Sequence, residues 1–294
     1  MGPSRLTLAA LALGLAVLAP PARAGPPPAP APDLAEEEAI AAGDVHYARR
    51  GEGADEQRAQ PFEIDGAIAE YRRALSLDPG SREARLRLMR AFFFRGGFCG
   101  PMDRDAKVAM FDEAKLLAEQ SVAGLDAELK RSKGRVARGA ATRVATAAEE
   151  YLWAAISWGQ WAVFHKLSAA WSGAPGRIRD LAEASLSIDP SAEQAGAYIL
   201  LGRLHSEAPK VLFVTGWVSR AKAVTYVREG LPLAPDNRAL VYFTADVLLQ
   251  HAPASEAEAR ALLERCATSP PRPDFLAEDL HYARMARERL AGAR

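Results

Sequence analysis

The sequence predicts an all-α protein built as a helical-repeat array, and three observations carry that expectation. Apolar residues recur at spacings of three and four along most of the chain, the period of one helix face. Beyond Asp33 the prolines are sparse and fall between the periodic segments, where they can end helices. One phrase, small residues about one and two turns apart closed by a proline, occurs four times. The only β-like run is Val211 to Val214. With 294 residues, 49% hydrophobic and 25% charged, the chain has room for one large or two small cores. Its 37 basic and 37 acidic residues cancel, which leaves no basic field for nucleic acid and no acidic excess for cations.

Taken from the N-terminus, Arg5 precedes an uncharged run from Leu6 to Leu18, short of the ~20 residues that span a bilayer. Pro20-Pro21 and the small-x-small triplet Ala22-Arg23-Ala24 follow, so residues 1–24 are expected to be a cleavable secretory signal. No cysteine stands at that site to take a lipid. Residues 25–33, beginning GPPPAPAP, are a stiff extended linker. Residues 34–294 form the repeat domain.

The recurring phrase is Ala67-x3-Tyr71-x2-Ala74-x4-Pro79, ending Leu75-Ser76-Leu77-Asp78-Pro79. It returns before Leu186-Ser187-Ile188-Asp189-Pro190, before Leu231-Pro232-Leu233-Ala234-Pro235, and as Ala259-x3-Leu263-x2-Cys266-x4-Pro271. Small residues at that spacing let a partner helix come close. The partner should pair a large residue with a small one, as do Leu201-Gly202 with Tyr198 and His205, Trp158-Gly159, Leu88-Met89 with Phe92, and Gly43-Asp44 with His46. These are the two helices of a tetratricopeptide repeat. The register gives about five helix pairs: Glu36 to Pro79, Arg82 to about Asp126, Leu152 to Pro190, Ala195 to Pro235 and Arg238 to Pro271, with a C-terminal capping helix from Leu276 to Leu290. Surplus residues fall between the helices of a pair, at Arg50 to Phe62, Gly96 to Asp105, Ser168 to Gly176 and Glu207 to Arg220. Such corners gather on one face of an array, where binding loops are often found.

A long middle helix is expected from about Arg138 to Trp171, entered through the basic cluster Lys130 to Arg138. On a helical wheel Trp158, Gly159 and Ala162 point toward the partner helix, and Trp153, Gln160 and Phe164 point nearly the opposite way. That second face either packs on the neighbouring repeat or lines a groove.

From Ala148 onward the order of features resembles the T-component (TatT) family associated with TRAP transporters. The residues concerned are Tyr151-Leu152-Trp153-Ala154-Ala155, Trp158-Gly159-x-Trp161, the Leu186 to Pro190 phrase, Gly196-Ala197-Tyr198-x2-Leu201-Gly202, the Pro209 to Arg220 insertion, Ala223 to Pro235 and Leu262-Leu263-Glu264 to Leu290. The likeness spans roughly Asp65 to the C-terminus. It implies a periplasmic, non-enzymatic helical-repeat protein that forms a homotrimer, associates with the solute-binding protein of a TRAP system and handles hydrophobic ligands. The lipoprotein form of the family carries a lipobox cysteine, which this chain lacks.

In tetratricopeptide proteins, five positions of the first helix line the concave groove. In this register they give Arg90, Phe93 and Phe94 in the second repeat, Trp153, Gln160 and Phe164 in the third, Ile199 and Arg203 in the fourth, and Tyr242 and Asp246 in the fifth. Such a lining suits an extended peptide, an amphipathic ligand whose carboxylate meets an arginine fork, or a subunit interface.

Motifs for other chemistry are missing. His46, His165, His205, His251 and His281 form no H-E-x-x-H or H-x3-H pair, and no phosphate loop or G-x-S-x-G elbow occurs. No metal, cofactor or catalytic residue is expected. His205, at a consensus tyrosine position, reads as a packing residue, Gly96-Gly97 as a turn, and Cys99 and Cys266 as thiols too far apart in the repeats to pair. The Glu36-Glu37-Glu38 run suits a helix start. The leading expectation is therefore a scaffold that binds a partner protein. The alternatives are a carrier of a hydrophobic or amphipathic small ligand and a general envelope scaffold without a transport role.

Overall fold

The computed structural model describes residues 32–131, 140–211 and 215–292, and the sequence readings on the signal segment, most of the linker, residues 212–214 and most of the basic cluster lie outside them. Among the described residues are twelve α-helices and no strand. They are α1 (Pro32–Ala48), α2 (Pro61–Leu77), α3 (Arg82–Phe98), α4 (Arg104–Arg131), α5 (Ala140–Phe164), α6 (Lys166–Trp171), α7 (Ala174–Ile188), α8 (Ala192–Glu207), α9 (Arg220–Gly230), α10 (Arg238–His251), α11 (Glu256–Thr268) and α12 (Leu276–Gly292). The pairs are α1 with α2, α3 with α4, α5 with α7, α8 with α9 and α10 with α11, and α12 packs on the last pair. The chain is thus an all-α helical-repeat array of five pairs plus a terminal helix.

The recurring phrase explains how the helices stop. Asp78 and Asp189 each precede a proline, which disfavours helical backbone in the residue before it. Both are extended, with ψ of 97° and 103°. Each carboxylate then turns back: Asp78 Oδ1 accepts the Gly80 amide at 2.7 Å, and Asp189 Oδ1 accepts that of Ser191 at 2.8 Å. New helices begin on side-chain caps, Ser81 accepting from the Ala84 amide and Asn237 from those of Ala239 and Leu240. Pro61 opens α2, at a position that has no hydrogen bond to lose.

The small residues of the phrase are buried where helices meet: Ala67, Ala74 and Ala259 are fully covered. Gly202 of α8 faces α9 so closely that a β-carbon there would lie 2.6 Å from Val227 Cγ1. Gly159 breaks the expected pattern. A β-carbon there would meet nothing within 4 Å, because the residue borders a cavity rather than a helix. The Gly96-Gly97 pair is not a turn, since α3 runs through it to Phe98 and Gly96 lies against the Phe111 ring of α4.

The expected long middle helix is broken. His165, with φ −116° and ψ 47°, separates α5 from α6. Its ring stacks on Trp161, one turn back on α5, at 5.0 Å, and its Nε2 lies 2.9 Å from Asp112 Oδ1 of α4. A second irregularity opens α8. Glu193, Gln194 and Ala195 have φ of 47°, 55° and 62°, a left-handed turn without glycine, which costs roughly 1–2 kcal/mol per residue. Asn237 Nδ2 donates to Gln194 O at 3.0 Å, and Arg272 Nη1 donates to Gln194 Oε1 at 2.6 Å. Ala195 beneath them is fully buried.

The last helix also meets the first repeats. Besides its neighbours α10 and α11, α12 touches α3 and the corner between α1 and α2. Arg50 of that corner is an ion-pair partner of Glu278 at 2.9 Å and donates to the carbonyl of Asp274 at 2.6 Å. Arg284 donates to the carbonyl of Glu56, Arg287 pairs with the Glu56 carboxylate at 2.8 Å, and His281 meets the Phe98 ring edge-on at 5.3 Å. The inner faces of the array are thereby joined end to end.

Candidate ligand cavity

Those inner faces line a half-open cavity of about 640 Å³, within the range of roughly 300–1,000 Å³ typical of small-molecule sites. Its walls come from α3, α5, α8, α10 and α12, with Tyr47 at the end of α1 and Arg50 in the corner that follows. Of the ten residues expected to line a groove, Arg90, Phe93, Phe94, Trp153, Gln160, Ile199 and Arg203 border this cavity. Phe164, Tyr242 and Asp246 do not.

The three exceptions have local causes. Phe164, at the end of α5 just before the break, stacks on Phe111 at 5.7 Å and fills the contact with α4. On α10 the cavity-facing residues are Ala239 and Phe243, a turn apart, so the expected register is displaced by one residue. Tyr242 packs instead with Leu262, Leu263 and Cys266, and Asp246 pairs with Arg289 of α12 at 3.2 Å.

Aromatic edges build the apolar wall. Phe93 meets Trp153 at 5.5 Å and Phe98 at 5.8 Å, both edge-to-face, the arrangement that ring quadrupoles favour. Phe243 and Tyr282 continue the wall at 5.7 Å. Trp153 is only 7% exposed, the same as Trp158, so its face is core as well as cavity lining. Trp158 looks away, against Trp161 and the Lys115 ammonium of α4.

Four arginines border the cavity, each beside a carboxylate. Arg50 pairs with Glu278 at 2.9 Å, Arg203 with Glu207 at 2.8 Å and Arg272 with Asp279 at 2.8 Å. Arg90 is the loosest: its Nε stands 3.5 Å from Glu193 Oε1, without a hydrogen bond, and its guanidinium lies over the Tyr47 and Trp153 rings. Burial works against the Arg90 charge, but Tyr47, Glu193 and Glu149 outweigh it and keep the group protonated. Burial raises the Glu278 carboxyl above its ordinary value despite Arg50, and pushes the Tyr282 hydroxyl up to about 12. Trp153 Nε1, Arg90 Nε and Glu278 Oε2 are buried without hydrogen-bond partners.

Sequence reasoning missed Tyr47, Arg50, Glu193, Gln194, Arg272, Glu278 and Tyr282. The register assigned no groove positions to the first pair, and the other residues lie on its corner, at a strained helix start, in the segment between α11 and α12, and on the terminal helix. The spacing of Glu278 and Tyr282 marks one face of α12 but says nothing of what that face meets.

Outside the cavity, Cys99 and Cys266 are separate buried thiols, pushed up to about 12 and 11 by burial. His205 is 1% exposed and stacks on Tyr226 at 5.6 Å. Among the described residues, no three of His, Cys, Asp and Glu gather where they could hold a metal ion. No family model matches the chain, and no curated protein matches it.

Proposed function

We propose that this protein is an exported, non-enzymatic helical-repeat protein of the tetratricopeptide type that holds a hydrophobic or amphipathic small molecule inside its array. The observation that carries this reading is the cavity of about 640 Å³, lined by aromatic and aliphatic side chains with a few charged groups at its border. Such a composition suits a ligand with a large apolar part and a small polar end. An extended peptide suits it less well, because α12 bridges to the first corner where a groove would have to stay open. The resemblance to T-components of TRAP transporters supports the same reading and adds a periplasmic location, a homotrimer and a solute-binding protein as partner.

The partner-binding part has its own support. The α6 corner exposes Leu167 at 80% and Trp171 at 91%, and large exposed apolar groups of this kind mark interaction sites. A scaffold that receives a ligand from a solute-binding protein would combine both features.

Native mass spectrometry of the protein purified without detergent tests the ligand reading. The expected result is a retained small mass, released on denaturation and recovered in an organic extract. A bare polypeptide mass together with failure to bind any of several long-chain probes would overturn it. The same spectrum reports the oligomeric state.

A further inference from the structure

We infer that the mouth of the cavity docks on an anionic lipid bilayer, with Leu167 and Trp171 entering the surface and Lys166 and Lys210 meeting its head groups, so that an apolar ligand passes between bilayer and cavity without crossing water. The inference rests on the ligand reading above and specifies where the ligand enters.

An opening requires wall that water reaches. Most of the cavity wall is buried or half-buried, and the wall residues that are exposed are Val163, Lys166, Glu207 and Pro209. Val163 and Lys166 flank the break between α5 and α6, and Glu207 and Pro209 lie where α8 ends. These two corners are also joined, since the Arg179 guanidinium of α7 lies 4.5 Å from the centre of the Trp217 ring in the segment that follows α8. Apolar surface gathers on the same rim. Val163 and Val211 are exposed there, and Leu167 and Trp171 of α6 project furthest into solvent.

On apolarity alone the rim would suit a protein as well as a membrane. Charge favours the membrane. From Tyr151 to Arg179, and again from Ala208 to Arg228, the sequence holds no acid, in a chain of 37 basic and 37 acidic residues. Lys166 and Lys210 are exposed beside the apolar groups. The carboxylates at the edges are already engaged: Glu207 stands 2.8 Å from Arg203, Asp180 2.5 Å from Arg179, and Asp112 2.9 Å from His165 Nε2. Lysines near an anionic surface are drawn to it, and tryptophan settles at the head-group level, where one part of the ring is apolar and the other wet. Position is the second reason. An apolar ligand is disfavoured in water, and a mouth pressed on the bilayer removes that step.

The test is flotation of the chain from residue 25 onward, since the apolar run Leu6 to Leu18 would bind lipid by itself. The vesicles are phosphatidylcholine alone, and phosphatidylcholine mixed with phosphatidylglycerol. The protein should bind the anionic vesicles at least about tenfold more tightly, and added salt should weaken that binding. Leu167→Gln with Trp171→Gln should weaken flotation by at least about tenfold, while the melting curve and the ligand retained in native mass spectrometry stay unchanged. Lys166→Glu with Lys210→Glu should abolish the preference for phosphatidylglycerol, and it decides if the first variant does not fold. A protein that does not float, or a Leu167 and Trp171 variant that floats as well as the unaltered protein, would overturn the docking; a ligand still retained would leave the ligand reading standing. Loss of self-association in that variant, with neither protein floating, would assign the rim to a second copy of the chain instead. Flotation by a protein that holds no ligand would overturn the ligand reading and the passage of ligand, and leave the lipid-docking surface.

Discussion

His205 Nδ1 accepts the Ser219 amide at 3.1 Å, so the neutral ring carries its proton on Nε2, which has no partner. Burial, reinforced by Lys222, Arg179 and Arg220, holds its pKa down to about 4, against an ordinary 6.5. Between those values the unfolded chain takes up a proton that the folded chain refuses. The stability contributed by neutral His205 is therefore present above pH 6.5 and lost as pH falls toward 4. Replacing His205 with Gln should flatten the pH dependence of the urea midpoint across that window, and an unchanged slope would show that the ring is freely protonated. Gly202 makes a different demand, for the absence of atoms. Gly202→Leu should cost about 1 to 3 kcal/mol by overpacking against Val227. The same change at Gly159, which faces open space, should leave the thermal midpoint nearly unmoved.

Helices here are set by their ends as much as by their faces. Asn237 caps α10 through Oδ1, and its Nδ2 also holds the carbonyl of Gln194, which ties the left-handed entry of α8 to the next repeat. Asn237→Ala should therefore cost about 2 kcal/mol, the upper end for a cap. Asn237→Ser keeps a capping oxygen but cannot reach Gln194 in the same way, and its stability should fall between those of the Ala variant and the unaltered protein. A Ser variant that melts with the unaltered protein would mean that the link to Gln194 adds nothing. Apolar periodicity runs across His165 without interruption and offers no local terminator; at the break the His165 ring stacks on Trp161 of its own helix and stands 2.9 Å from Asp112 of α4.

Across the molecule, the contact between the first corner and α12 turns separate inner faces into one cavity. Arg50 is its centre, paired with Glu278, with side-chain exposures of 8% and 17%. Removing one member of a buried pair strands the other charge and costs about 3 to 5 kcal/mol. Arg50→Met should lower the thermal midpoint accordingly, with hydrogen exchange quickening most in α12 and in the corner between α1 and α2. Uniform acceleration through α4 as well would show that the closure is not a separable contact. The charge balance of 37 basic and 37 acidic residues finds its local expression here, since arginines at the cavity border stand beside carboxylates.

What the sequence determined by itself was the local part of this architecture. Helix class and the five pairs follow from apolar period, prolines and caps, all of which act within a turn or two of the residues that encode them, whereas several helix ends, those of α3, α4 and α5 among them, fall elsewhere than the pattern places them. Seven of the ten expected groove residues reach the cavity because a helix face is fixed by that same period. Only the tertiary structure decided that α12 bridges the groove to the first corner, that Phe243 rather than Tyr242 faces inward, that α5 stops at Phe164, and that the arginines arrive with partners already chosen. These outcomes depend on how helices rotate and meet across long stretches of chain. One residue of register turns a side chain by about 100°, and the pairing of Arg50 with Glu278 links residues that no local pattern connects.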